Sequence, residues 1–177
     1  MSLVRDALDR AGAAGFTISS EPPAGALLGV LSAAVPPGGR ILEIGTGAGV
    51  GLAWLVEGLG GRLDVEVRSV ERDPRLGGLA AAGDWPENVT LHEGDILEIL
   101  DSLGTFDLIF ADAEGGKWQG LDRTIATLAP GGHLLVDDMA TGHEQTVRVR
   151  DTLLAHPDLI AVELPCGTGL ILATRRR

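Results

Sequence analysis

Apolar residues in this chain fall in short runs of Val, Ile and Leu, separated by amphipathic stretches and by turns rich in Gly and Pro. Short apolar runs bounded by turn residues read as buried strands, and the longer amphipathic stretches as helices. Arg40–Gly45 reads as the first strand, entered from the turn Pro36-Pro37-Gly38-Gly39. A helix over Gly49–Leu59 follows and stops at Gly60-Gly61. Val65–Glu71 is the next strand, and Asp73-Pro74 opens a helix with a capping carboxylate and a proline at its first position. The pattern continues with strand Asn88–Glu93, helix Ile96–Leu103, strand Phe106–Ala111 and helix Lys117–Leu128. Pro130-Gly131-Gly132 ends that helix before strand His133–Asp137 and helix His143–Ala155.

Two last strands, Leu159–Leu164 and Gly169–Ala173, are separated only by Pro165–Thr168, too short for a helical crossover, so they should pair as a hairpin that adds an antiparallel edge. Helices over Leu3–Ala11 and Ala24–Ala34 precede the first strand. Strand–helix alternation over five strands predicts an α/β fold: a mostly parallel seven-stranded sheet with helices on both faces and an antiparallel final strand. One domain is expected, with N-terminal helices in 1–36 and the core in 40–177.

Composition narrows the partners. The chain has 177 residues, 26 of them Gly, and a net charge of −11. That charge argues against a broad nucleic-acid or anionic-membrane surface, because phosphates would be repelled. No apolar run is long enough for a membrane helix, and charges at Arg5, Asp6, Asp9 and Arg10 break any signal-peptide core, so a soluble cytoplasmic protein is expected. The single cysteine, Cys166, can form neither an internal disulfide nor a Cys-type zinc site and reads as structural. Lysine also occurs once, at Lys117.

The candidate chemistry starts at Ile41–Gly51, where a strand runs into a glycine-rich turn that opens a helix. Glycines there let main-chain N–H groups approach a ligand closely. The dinucleotide spacing G-x-G-x-x-G is not met, because Val50 and Leu52 stand where the third glycine would be, which disfavours a nicotinamide oxidoreductase. Glu43, just before the loop, is a poor neighbour for pyrophosphate and suits a cationic ligand. Glu71 ends the second strand, where a carboxylate can accept two ribose hydroxyls. Gly94-Asp95 follow the third strand, where Asp95 can reach an adenine amino group, cap the next helix, or both. All three carboxylates fall at carboxyl ends of successive strands, the ligand edge of an open α/β sheet. An adenosine carrying a positive centre fits them.

The run Ile41–Leu55 (ILEIGTGAGVGLAWL) resembles motif I of class I S-adenosylmethionine (SAM)-dependent methyltransferases. Three further segments are similar to the cation-dependent O-methyltransferase family of catechol and caffeoyl-CoA O-methyltransferases: Phe106–Ala113, Pro130–Asp138, and Leu164–Leu170. The resemblance runs from about Ile18 to the C-terminus. It implies a Rossmann-like class I methyltransferase fold, with Glu43, Gly45, Thr46, Gly47 and Gly49 along the methionine half of SAM, Glu71 on the ribose, Gly94 and Asp95 on the adenine side, and Asp112 also near the cofactor. It further implies Asp112, Asp137 and Asp138 as ligands of a divalent cation, Mg²⁺, Ca²⁺ or Mn²⁺, for which hard oxygen ligands are suited.

The sequence departs from the family at the base. The family lysine falls on Gly115, and Lys117 lies two residues further along, where it would reach the site from a shifted loop or else be a solvated helix-start residue. Asp138 stands where the family has Asn. Asp112 and Lys117 are the catalytic candidates. His143 reads as a helix-start surface residue, and His92, His133 and His156 have no partners at useful spacing. The expected activity is methyl transfer from SAM to a hydroxyl of a small molecule, assisted by the cation, and the resemblance also allows a homodimer. The alternatives are a metal-independent SAM methyltransferase acting on another atom or a larger substrate, and a non-catalytic SAM-binding protein.

Overall fold

The computed structural model describes residues 2–17, 20 and 22–177. The start of the resemblance at Ile18 lies outside the described residues. Two helices, α1 (Leu3–Ala13) and α2 (Pro22–Ala33), precede the sheet. The chain then alternates β1 (Arg40–Ile44), α3 (Val50–Gly58), β2 (Glu66–Glu71), α4 (Pro74–Ala81), β3 (Val89–Glu93), α5 (Ile96–Ile99, extended by a 3₁₀ turn) and β4 (Phe106–Ala111). It closes with α6 (Leu121–Ala126), β5 (Leu128–Val136), α7 (Glu144–Ala155), β6 (Leu159–Leu164) and β7 (Leu170–Arg175). No helix among the described residues is long and apolar enough to cross a membrane.

The strands form one seven-stranded sheet in the order β3-β2-β1-β4-β5-β7-β6, with β7 antiparallel to both neighbours. This is the class I order. The hairpin expected at the end is present, but its antiparallel strand is not the edge. The crossover through α7 carries the chain past β5 far enough to leave a gap, and β7 folds back into it, so β6 becomes the edge. The central strands β1 and β4 are buried on both faces and therefore read as continuous apolar runs. On β1, Leu42 and Ile44 point into one core with Val70, Ile109, Ile125, Leu134 and Leu153, while Ile41 points into the other with Leu28, Leu55, Val67, Leu108 and Phe110.

Local signals account for most element ends. Asp73 caps α4 by accepting from the N–H of Arg75, and Pro74 sits at the first helical position. Asp95 caps α5 through the N–H of Leu97. Two expectations fail. Lys117 lies in a tight turn rather than a helix, because Gly116 N–H bonds Gln119 O and Trp118 N–H bonds Glu114 O, delaying α6 to Leu121. Pro130-Gly131-Gly132 does not separate helix from strand: it lies within β5, and the β4–β5 register shifts between Phe106↔Leu128 and Leu108↔His133. Gly131 takes a φ of 82°, and a Cβ on Gly132 would meet Phe106 O at 3.0 Å, so glycines carry this bulge.

Helices α2 and α3 meet through glycine. A Cβ added at Gly58 would lie 2.4 Å from Gly29 O, whereas one added at Gly29 would meet nothing nearer than Trp54 O at 3.6 Å. The two positions should therefore respond oppositely to alanine. Gly58→Ala is expected to destabilise by about 1–3 kcal/mol through overpacking. Gly29→Ala is expected to stabilise by about 0.5–1 kcal/mol through lower unfolded-chain entropy. Urea melts of both variants check this, and equal effects would refute the close approach.

Candidate active site

The carboxyl ends of β1, β2, β4 and β5 open onto one cleft of about 170 Å³. Its wall includes Glu43, Gly45, Thr46, Gly47, Glu71, Asp112 and Asp138. The loops around it are tied to the sheet by main-chain bonds: Gly45 N–H to Val70 O, Asp112 N–H to Ile44 O and Asp137 N–H to Ala111 O. Gly45 has a φ of 97°, and a Cβ there would meet Asp112 O at 2.7 Å, so only glycine lets the two loops touch.

Glu43 is buried at the base of the cleft, 1% exposed. Its Oε2 accepts from the hydroxyl of Ser69, which sits 2.5 Å from Thr46 Oγ1. Among the described residues, its Oε1 has no hydrogen-bond partner. Burial raises the Glu43 pKa well above the usual glutamate range; the Ser69 bond opposes this, and the charges of Asp112 and Glu71 add to it. Space for Oε1 comes from Gly51 in the first turn of α3, where a Cβ would lie 2.4 Å from that oxygen. Glu71 is held rigidly, with Oε2 accepting from Gly47 N–H and Oε1 from Asp73 N–H, both at 2.8 Å.

Asp112 and Asp138 stand at the other side of the cleft. Lys117 reaches them from its turn: Nζ is 3.0 Å from Asp138 Oδ2, 3.2 Å from the main-chain oxygen of Asp137 and 4.0 Å from Asp112 Oδ1. Its side chain is 2% exposed and lies over the Trp118 ring. Asp137 turns away from the cleft, its Oδ1 accepting from Asp138 N–H and from the hydroxyl of Thr168. Asp138 takes a left-handed φ of 63°, uncommon for a residue with a side chain though aspartate tolerates it better than most. Burial, then the charges of Asp137 and Asp138, push the Asp112 pKa up to about 8, with Lys117 opposing.

The sequence-expected residues thus separate. Glu43, Gly45, Thr46, Gly47, Glu71, Asp112 and Asp138 line one cleft. Gly49 shapes the start of α3 at a φ of 89° and packs against Trp85 instead of facing that cleft. Gly94 and Asp95 border a separate small depression with Arg72 and Gly115. The metal expectation does not fit: among the described residues, no group of three or more Asp, Glu, His or Cys side chains is placed to hold an ion. The reason is local, since Asp137 is engaged by Asp138 N–H and Thr168, and the Lys117 ammonium occupies the space beside Asp138. Ser69, Thr168, Phe16, Ser20 and Phe110 also build this region and were not singled out from sequence. The alternate glycines at 45, 47, 49 and 51 held a signal for Gly51; Ser69 and Thr168 carry none.

Comparison with known proteins places this geometry in a family. A model described as "Methyltransferase domain" matches residues 42–139, more than half the chain. A protein of Mycolicibacterium smegmatis assigned to the O-methyltransferases is 31% identical over 99% of this chain and 90% of its own length. The chain belongs to the SAM-dependent O-methyltransferases. Among solved structures, cofactor-bound Rv0187 from MTB matches with a TM-score of 0.82 and 26% identity, covering 99% of this enzyme and 90% of that chain. The O-methyltransferase TomG from Streptomyces achromogenes, in complex with SAM, matches with a TM-score of 0.84 over 100% of this enzyme and 91% of its own chain; at 23% identity it speaks for the fold.

The raised Asp112 pKa has a consequence for the enzyme without ligand. A carboxyl that keeps its proton longer in the folded state than in the unfolded chain contributes stability below its unfolded pKa, near 3.8, and loses it as pH rises through about 8. Asp112→Asn removes that dependence. The Tm difference between variant and wild type should therefore move in the variant's favour from pH 4 to 8 and level off above. A difference that stays flat across that range would show that Asp112 is not so shifted.

Proposed function

We propose that the cleft binds SAM with its positive charge over Glu43 and passes the methyl group to a hydroxyl of a small acceptor seated beside Asp112 and Asp138. The observation that carries this reading is the unpartnered buried oxygen of Glu43 at the base of an acidic, glycine-walled cleft. A buried acceptor without a donor is costly, and a ligand ammonium supplies the missing donor. Gly45, Thr46, Gly47 and Gly49 shape the loop around the methionine half. Glu71, already fixed by two N–H donors, keeps lone pairs for the ribose hydroxyls. Gly94 and Asp95 flank the adenine side.

In the transfer, the acceptor oxygen attacks the methyl carbon in line with sulfur. The C–O bond forms as the C–S bond breaks, and the electron pair of that bond stays on sulfur, giving the neutral thioether product. The hydroxyl proton passes to Asp112 in its ionised form, which the positive charge of bound SAM favours. Lys117 sets the position of Asp138 beside it and offsets the charge of the carboxylates. Holding both reactants aligned supplies much of the acceleration. A divalent cation when bound would bind the acceptor oxygen and ease loss of its proton, but no step here depends on one.

Calorimetry with SAM tests the reading. Wild type should bind SAM, and Glu43→Gln, which keeps the shape but loses the charge, should bind about 10–100-fold more weakly, the worth of a charge-assisted hydrogen bond of ~1.5–3 kcal/mol. Labelled methyl transfer to a panel of catechols and hydroxybenzoates then tests the acceptor class. Equal SAM affinity in the two proteins would remove Glu43 from the site, and tight SAM binding without transfer to any hydroxyl would favour a different acceptor atom.

A further inference from the structure

We infer that Lys117 is this enzyme's resident cation: its ammonium takes the place among Asp112, Asp137 and Asp138 that a divalent ion would need, and the enzyme works without metal. The inference rests on the methyltransferase reading above and goes beyond it. Several independent features support it. The ammonium is placed by hydrogen bonds to Asp138 Oδ2 and to the main-chain oxygen of Asp137, and Asp112 Oδ1 lies 4.0 Å away. A lysine side chain only 2% exposed is rarely found without such pairing. The turn that carries it is closed by Gly116 N–H to Gln119 O and tied to α6 by Thr124 Oγ1 to Gly116 O, and the Trp118 ring covers the ammonium from one side.

The carboxylates are arranged for that ammonium. Asp137 offers it a main-chain oxygen while Oδ1 of its own carboxylate accepts from two protein donors, so that oxygen is already committed. A divalent ion brought to Asp138 would sit next to the buried like charge of Lys117. Lys117 does not touch the reacting atoms in this arrangement and acts as a positioning residue. It holds Asp138 at the cleft wall and supplies the positive field under which the acceptor hydroxyl loses its proton to Asp112.

The test uses Mn²⁺ alone and SAM alone on the whole protein. Wild type stripped with EDTA should show no Tm shift beyond about 1 °C in 5 mM Mn²⁺, and free Mn²⁺ counted by electron paramagnetic resonance should be undiminished, since a ligand that does not bind the native state cannot stabilise it. Lys117→Met exposes the carboxylates to one another. It should melt several degrees below wild type and recover those degrees on adding Mn²⁺, as stabilisation by native-state binding requires. Lys117→Arg, which keeps the charge, should stay indifferent to Mn²⁺. Metal rescue separates this role from plain packing, which Mn²⁺ would not restore. Mn²⁺ binding to wild type with a dissociation constant below about 1 mM would overturn the inference, and this measurement decides even if Lys117→Met does not fold. SAM titrated into the same wild-type sample keeps the two failures apart. Absence of SAM binding removes the methyltransferase reading, whereas SAM binding together with Mn²⁺ binding removes only the role of Lys117.

Discussion

Carboxylates gathered at one edge of a parallel sheet repel one another, and each must find hydrogen-bond donors, a proton or a cation. That constraint orders the catalytic end of this molecule. Glu71 is satisfied by two N–H groups of the loops that follow β1 and β2. Asp137 Oδ1 accepts from its neighbour's N–H and from Thr168. Asp138 has Lys117. Asp112 and Glu43 are left with too little compensation, and both hold their protons more tightly than usual. The two under-compensated groups are on the cleft wall, where a positively charged ligand would relieve them.

Steric room follows the same logic. The cleft exists because glycine stands wherever a side chain would close it: Gly45 against the main chain of Asp112, and Gly51 against Glu43. The glycine excess of the sequence is therefore partly a map of close approaches. At Gly58 the same device serves packing alone, letting α3 meet the backbone of α2 and so steadying the helix whose first turn faces the cleft. A carboxylate buried under such a helix start also sits near the positive end of the helix dipole, which favours its ionised form once burial is offset.

How far this was readable beforehand depends on the range of each interaction. Strands and their order follow from apolar runs and crossover rules, which are local or combinatorial, and so Glu43, Glu71 and Asp112 could be placed at strand ends without coordinates. Asp95 could be read as a helix cap for the same reason. Lys117 could not be placed. Its offset from Asp112 leaves both a shifted loop and a helix start open, and the Gly115–Gln119 turn is what brings the ammonium back to the carboxylates. The three aspartates are not brought into one group among the described residues for a related reason: at adjacent strand ends they look convergent in sequence, but the left-handed backbone of Asp138 and the bonds of Asp137 send their side chains to different partners. Pro130-Gly131-Gly132 looked like a terminator because a register shift within a strand leaves no local periodicity of its own.

The inserted position of β7 ties sheet order to chemistry. Were β7 the outer edge, the β6–β7 turn would lie a strand further from β5. Between β5 and β6 it brings Gly169 O to Met139 N–H and Thr168 O to Ala140 N–H, so the hairpin turn is bonded directly to the segment after β5. Thr168 then reaches the Asp137 carboxylate from that turn. With its side chain so occupied, Asp137 contributes its main-chain oxygen to Lys117, and the ammonium is drawn toward Asp138 and Asp112. A topological choice made at the far end of the chain thus helps place the Lys117 ammonium beside the cleft.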